Sequence, residues 1–558
     1  MKFRMHGLGG LIVILTLCLT CSLQAKAQST PQSKVSDRHL DAQQYMEILG
    51  SAITTLQGQY VDTIDWSRVL TAGIDAMLKE LDPYCEFYSE EDQSEFKTMT
   101  TGEYGGIGAL IQQRGDTVMI ANPYEGRPAQ EAGVRVGDRI LSIDGESMIK
   151  KTTSQVSDKL RGLAGTTFTL TVKRPYVEGT MDFQISRRKI QLDAVPYYGW
   201  LNDSIAYIFL SQFTDKAALE VQNALVELRQ ERDDAGQSRL KGLVFDLRQN
   251  GGGLLDEAVK IVGMFVPKGS PVVETKAKRP EWNSSYRTNT VPIEPELPIV
   301  CLVDRNTASA SEILSGSLQD LDRAVVMGER SFGKGLVQST RALPYNTMMK
   351  FTTAKYYTPS GRCVQELDYS RRNADGSIGH IPDSLTREFK TAAGRSVRDG
   401  GGITPDVDIP AHRYSRLAFS LVYNGIVEQY ALEYVRAHES IPAVRDFHLG
   451  DEDYLQFVEY AKGREFDYRS SAKTLFDEMK KELESDGVAS AMTSELEALE
   501  KAIEMDKETF LKLKKDEIVP LIEEKIVVRY YFAPAATELR IRYDEQLKKA
   551  LESPLISI

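Results

Sequence analysis

The residues best suited to covalent chemistry lie in two short segments, each following a run that reads as a buried strand. The first is Leu247-Arg248-Gln249-Asn250-Gly251-Gly252-Gly253, after the apolar run Gly242–Asp246. A strand, a glycine turn and a helix starting near Leu254-Leu255 present backbone N–H groups to an anion. This order does not by itself choose between a phosphate and an oxyanion. The spacing of a dinucleotide or triphosphate loop is absent, however, and no Gly-Lys-Ser/Thr follows, so an oxyanion hole is the better reading. The second segment, Asp304 to Glu312, joins the apolar strand Ile299–Val303 to the apolar helical run Ile313–Leu318. A serine at such a junction is exposed, and the next residue's N–H can point at the same oxygen. Hydroxyl residues also cap helices, so Thr307, Ser309 and Ser311 all stay open on spacing alone.

A hydroxyl nucleophile needs a base. The chain has six histidines, His6, His39, His380, His412, His438 and His448, and none stands in a strand-end motif of the kind a catalytic triad uses. Lysine is the alternative, provided burial lowers its pKa so that neutral amine exists near pH 7. Phe332-Gly333-Lys334-Gly335 places a lone lysine between glycines after the strand Ala324–Gly328. Taken alone, this segment fits a solvated loop lysine better than a base.

The elements around these segments are legible from periodicity. From Asp41 to Leu81 apolar residues recur at helical spacing (Tyr45, Ile48, Leu49, Ile53, Leu56), and Asp82-Pro83 ends the stretch. Between Gly102 and Ser186 the pattern is strand-like and broken by glycines. Gly105-Gly106-Ile107-Gly108 reads as a turn whose N–H groups form a nest for a carboxylate. Strands at Ala109–Gln112, Thr117–Ala121, Arg139–Ile143 and Thr167–Lys173, the last closing the unit, alternate with helices near Pro128 and over Thr153–Leu163. With GRPAQEAGVRVGDRILSIDG (126–145) at its centre, this order resembles a PDZ domain. From Ala411 the chain is charged and helical, and Ser494 with Glu497 fits a capping box.

Three motifs, LVFDLRQNGGG (243–253), TASASEI (307–313) and GERSFGKGLVQ (328–338), are continued in order by TAKYYTPSGR (353–362) and GITPDV (402–407). Together they resemble the carboxyl-terminal processing peptidases, tail-specific serine proteases with a Ser/Lys dyad and an inserted PDZ domain. The resemblance covers about residues 40–410. It implies Ser309 as nucleophile, Lys334 as base and Gln338 as the residue that positions the lysine. The N–H groups of Ala310 and of one glycine of the triple-glycine turn, Gly253 before Gly251 or Gly252, would form the oxyanion hole. Arg248, Glu312 and Asp320 match positions tied to site integrity. Gly105, Gly106, Ile107 and Gly108 would bind the substrate's tail. No metal or cofactor is implied. A polar, basic insertion between Gln365 and Asp399 departs from the family pattern and reads as a surface loop beside the substrate channel.

The expected architecture is a multidomain α+β and α/β protein. It comprises a signal peptide (1–27), an N-terminal helical segment packing on the core (38–101), the PDZ domain (102–186), the peptidase core (187–410) and a helical C-terminal region (411–558). Lys2 and Arg4, the apolar run Leu8 to Leu19 and Ala25-Lys26-Ala27 make up the signal. Export, to the periplasm, follows as the expectation, with an uncleaved signal or a lipid on Cys21 as the membrane-bound alternative. Cys85, Cys301 and Cys363, the cysteines outside this segment, have no metal-like spacing and read as buried free thiols. A net charge of -12 speaks against nucleic-acid binding, which needs a basic footprint. The partners expected are proteins or peptides with accessible C-termini, with a second copy of the chain or an adaptor protein as further candidates. The rival reading is an exported PDZ adaptor with an inactive core.

Overall fold

The computed structural model describes residues 41–553 apart from 91, 235–239, 374, 469–470 and 504–505. The proposed signal segment, with Cys18 and Cys21, and His6 and His39 lie outside the described residues. The chain divides into two compact units, up to Ala76 and from Met77 onward. In the first, helix Ala42–Gln59 starts at a capping box in which Asp41 and Gln44 satisfy each other's backbone N–H groups. A second helix, Trp66–Lys79, begins in this unit.

The second unit is organised by a six-stranded sheet in the order Tyr197–Trp200, Ile205–Phe209, Gly242–Asp246, Ile299–Val303, Val325–Gly328, Val407–Asp408. Its first pair is antiparallel and every later pair is parallel. Gly242–Asp246 and Ile299–Val303 are buried along their whole length, as parallel strands covered on both faces must be. Alternation divides their side chains between two cores. Leu243, Phe245, Cys301 and Val303 face a core that includes helix Ala310–Asp320. Val244, Val300 and Leu302 face another, completed by Leu547 and Ala550 of the last helix, Glu545–Leu551. The end of the C-terminal region therefore returns to seal one face of the central sheet. Arg248 fixes that return, pairing at 2.6 Å with both Asp246 and Asp544.

A separate antiparallel sheet joins Glu86–Tyr88, Thr347–Tyr357, Pro271–Ala277, Ser284–Arg287 and Leu336–Leu343. It puts the segment just after Pro83 one strand away from the strand that follows Lys334, because the two pair with opposite edges of Thr347–Tyr357.

In the PDZ unit, strands Arg139–Ile143 and Thr167–Lys173 stand where the sequence puts them. Two expectations there need correction. Thr167–Lys173 does not close the sheet, since Met181–Ser186 pairs along it. Gly105 and Gly106 are not in a turn but in strand Glu103–Gly106, paired with Arg188–Gln191. A Cβ on Gly105 would sit 2.0 Å from the Gly162 carbonyl oxygen, so this glycine answers to a tertiary approach. The turn proper is at Gly108, with φ +67°.

The insertion after Gln365 is more than a surface loop. It forms two hairpins, Leu367–Arg372 with Ile378–His380 and Glu388–Lys390 with Ser396–Arg398. Arg395 ties it to Asp322 at 2.6 Å. The C-terminal helices Arg416–Tyr423, Ile426–Ala437, Asp451–Lys462 and Lys515–Tyr543 share their own apolar core. Ser494 is inside helix Thr493–Ile503 and donates to Glu495, so it is not the N-cap of a capping box. Cys85 and Cys301 are buried, Cys363 is half-buried, and all three are free. Among the described residues no helix is long and apolar enough to cross a membrane.

Candidate active site

Three consecutive parallel strands deliver the site from their carboxyl ends. Gly242–Asp246 leads into the glycine turn, Ile299–Val303 into Ser309, and Val325–Gly328 into Lys334. Clefts at the carboxyl ends of such strands are where open α/β sheets place their ligands.

The three hydroxyl candidates separate by where their oxygens go. Thr307 Oγ1 is buried, donates to the Leu247 carbonyl at 2.9 Å and accepts from the Asp304 N–H. Ser311 Oγ, also buried, donates to the Asn250 carbonyl at 3.0 Å. Ser309 is the half-buried one. Its backbone has φ +58° and ψ −116°, a region that L-residues enter at a cost of about 1–3 kcal/mol and keep only where surroundings force it. A strained serine between strand and helix is the geometry that pushes a nucleophile's Oγ out of the fold.

The glycine turn is built against that serine. Asn250 is fully buried. Its side chain donates to the Leu210 carbonyl (2.7 Å) and accepts the Gly252 N–H (2.9 Å), while its carbonyl accepts the Ala308 N–H (3.0 Å). Gly252 packs so closely that a Cβ there would lie 2.8 Å from Ser309 Cβ and 2.9 Å from Ala310 N. The Gly252 N–H is spent on Asn250. Gly253 is held by Phe213, whose carbonyl accepts the Leu254 N–H and whose N–H donates to the Gly252 carbonyl. No acceptor among the described residues takes the N–H of Gly253 or of Ala310. Asp304 adds a second stitch between the loops, accepting from Gln249, Asn306 and Thr307.

Glu312 joins the Ser309 loop to the Lys334 loop. It is fully buried and accepts from Ser309 N–H (2.9 Å), Ser331 Oγ (2.6 Å), Gly333 N–H (2.8 Å) and Lys334 N–H (2.9 Å). Burial pushes its carboxyl above the usual range, and the four donors pull the other way. The Ser309 and Lys334 nitrogens bond the same oxygen, Oε2, so the two backbones are two hydrogen bonds apart. Burial lowers Lys334 to about 8, Lys350 adds to the shift, and Asp82, Glu312 and Glu86 oppose it. Its Nζ stands 4.2 Å from the centre of the Tyr84 ring.

The other expected residues are placed as follows. Gln338 donates to Thr352 Oγ1 at 3.2 Å. Arg248 holds the last helix, as described above. Asp320 is buried against Arg362 at 2.8 Å and accepts the Ser360 N–H. Each described histidine is engaged elsewhere: His380 with Glu366, His412 against Tyr414, His438 on Tyr434 and His448 beside Arg542. Asn250, Asp304 and Tyr84 were not singled out by the sequence reading. Asn250 stands inside the motif 243–253 and Asp304 just before the motif 307–313, while nothing in the sequence connects Tyr84 with Lys334. Among the described residues no cluster of His, Cys, Asp or Glu could hold a metal ion.

In the PDZ unit, Tyr104, Ile107, Ala109, Ile111, Leu160 and Arg161 line a groove between strand Ala109–Arg114 and helix Thr153–Leu160. The N–H groups of Ile107 and Gly108 at its end take no acceptor among the described residues.

Comparison with known proteins agrees with this layout. Residues 204–369 match peptidase family S41, residues 119–174 a PDZ domain, and residues 417–553 the "Probable PDZ-protease, C-terminal helical domain". The "Carboxy-terminal-processing protease" of Bartonella bacilliformis is 34% identical over 349 residues, covering 62% of this chain and 78% of that protein. The "Probable CtpA-like serine protease" of Staphylococcus aureus is 32% identical over 354 residues, covering 63% of this chain and 69% of its own. Among solved structures, the photosystem II D1 C-terminal processing protease aligns with a TM-score of 0.36 at 26% identity, over 65% of this chain and 86% of that one. The chain belongs to peptidase family S41 and is a serine-type carboxyl-terminal processing peptidase with a PDZ domain.

Proposed function

We propose that the protein is an exported endopeptidase in which Ser309 is the nucleophile and Lys334 its general base. The observation that carries this reading is the strained backbone at Ser309, with the unspent Ala310 N–H next to it and the glycine turn packed against it through Gly252; of the turn's two unspent N–H groups, those of Gly251 and Gly253, the second is the proposed donor. Neutral Lys334 Nζ takes the proton from Ser309 Oγ as the oxygen attacks a peptide carbonyl. The Gly253 and Ala310 N–H groups receive the oxyanion, and the Lys334 ammonium returns its proton to the leaving amine. Water then releases the acyl group by the same route. Gln338, one residue pair along the strand after Lys334, is the proposed partner that steadies the lysine when substrate enters. Export rests on the positive, apolar and small-residue order of residues 2–27, with the periplasm as the proposed destination.

The substrate is a polypeptide with an accessible C-terminus. Its tail would add as a strand along Ala109–Arg114, with the terminal carboxylate on the Ile107 and Gly108 N–H groups. The test compares an unstructured polypeptide ending in a free carboxylate with the same chain ending in an amide. The carboxylate form is expected to be cleaved with at least a roughly tenfold higher kcat/KM, since a lost charge-assisted hydrogen bond is worth about 1.5–3 kcal/mol. Equal values for the two forms would remove the tail-reading part of the proposal.

A further inference from the structure

Lys334 lies over the first ring of an aromatic pair drawn from two distant parts of the chain. Its Nζ lies 4.2 Å from the centre of the Tyr84 ring. Tyr84 is pinned at both ends. Its N–H donates to Asp82 Oδ1 at 2.9 Å, and its hydroxyl accepts from Tyr369 at 3.5 Å. The Tyr369 ring stands edge-on to it, at 6.0 Å and 82°. Tyr369 belongs to the first hairpin of the insertion after Gln365, so this departure from the family pattern reaches the catalytic lysine through one intervening ring. The same hairpin is fastened to the chain near Tyr84 by Arg372, which donates to the Lys79 and Glu80 carbonyls at 3.1 and 3.2 Å.

The charged groups facing the lysine are few. Asp82 and Glu86 lie on the Tyr84 segment, Glu312 on the nucleophile helix and Lys350 on the strand Thr347–Tyr357. Of these, Glu86 is engaged by Lys350 at 2.7 Å and Glu312 by four donors. In a Ser-His-Asp triad a third residue stabilises the cation formed on the base. Here an aromatic face occupies the place next to the amine, and such a face attracts an ammonium ion.

On the reading that Lys334 is the base, we propose that Tyr84 is a further member of the catalytic group, beside Ser309, Lys334 and Gln338. Its ring face holds the Lys334 amine and stabilises the ammonium formed when the Ser309 proton arrives. The insertion, through Tyr369, keeps that ring in place. The proton balance is simple: the Ser309 O–H bond breaks, an N–H bond forms on Lys334, and the positive charge appears over the ring. It leaves again when the leaving amine takes that proton.

The test is the pH profile of kcat/KM for cleavage of reduced, alkylated casein by wild type, Tyr84→Leu, Tyr84→Phe, Tyr369→Leu and Lys334→Ala. In Tyr84→Leu the amine is still buried but the ring face is gone. Its acid limb is expected to move to lower pH by about half to one unit, with kcat down roughly tenfold. Tyr84→Phe, which keeps the face, restores the position of the limb. Tyr369→Leu moves it in the same direction by less, and it carries the test if Tyr84→Leu does not fold. A loss of activity with the limb unmoved in the folded variants would reduce Tyr84 to a packing residue and overturn the proposal. Wild-type activity in Lys334→Ala would instead overturn the lysine base itself, so the two failures are distinguishable.

Discussion

Lys334→Met is expected to lower kcat by about 10²- to 10⁴-fold, the usual contribution of a positioned general base, while raising thermal stability at neutral pH. Both effects come from one cause. Burial holds the lysine amine at about 8 against an ordinary value of 10.5, so a usable fraction is neutral near pH 7–8 and can accept a proton. The wild-type enzyme should therefore gain activity as pH rises through about 8. The linkage runs in the opposite sense from a stabilising ion pair. A lysine whose folded pKa is depressed costs the fold stability below the folded value, and that cost fades as pH rises toward the unfolded value. Methionine keeps the buried stem and removes the charge. Its melting temperature should exceed that of wild type at pH 7, and the difference should shrink to nothing by about pH 10.5. Melting curves across that range check the stability half, and a pH profile of kcat checks the catalytic half. A variant with unchanged stability at pH 7 would mean that the amine is solvated.

Gly252→Ala is expected to remove most activity from a protein that still folds. The added Cβ would lie 2.7 Å from the Ala308 carbonyl oxygen, 2.8 Å from Ser309 Cβ and 2.9 Å from Ala310 N. Two of these neighbours are backbone and cannot swing away, and the third is the nucleophile's own stem. At φ +100° alanine is strained as well. Ser309 and Ala310, the proposed nucleophile and oxyanion donor, must shift together, and losing one such donor alone costs about 10²–10³ in turnover. A Cβ at Gly251 enters open space, so Gly251→Ala should stay within a few-fold of wild type. Turnover measured beside circular dichroism for the two variants separates the close approach from a general intolerance of the turn. Equal activities would show that the turn is not seated against Ser309.

Much of this arrangement is legible in the sequence. Fully buried parallel strands read as short apolar runs, and Gly242–Asp246 and Ile299–Val303 do so because both their faces are covered. The PDZ strands Arg139–Ile143 and Thr167–Lys173 are bounded by glycine and aspartate turns, which punctuate a sequence clearly. Spacing alone does not separate Thr307, Ser309 and Ser311, which only the family resemblance tells apart. The difference lies in the destinations of their hydroxyls, and the acceptors, Leu247 and Asn250, are about 60 residues away. The misreading of Gly105 has the same origin, since the carbonyl that demands a glycine belongs to Gly162. Tyr84 and Lys334 meet because Glu86–Tyr88 and Leu336–Leu343 both pair with Thr347–Tyr357. Nothing local to either residue carries that information. Likewise, the final helix looks like the end of a helical tail until Leu547 and Ala550 are seen against the central sheet.

Whether Ser309 is a nucleophile activated by Lys334 can be read from covalent trapping. A fluorophosphonate reacts with the oxygen of an activated serine, and peptide mass spectrometry locates the adduct. A single adduct is expected on Ser309, absent from Ser309→Ala and formed at least about 100-fold more slowly in Lys334→Met. Labelling of Thr307 or Ser311, or an unchanged rate in Lys334→Met, would contradict it.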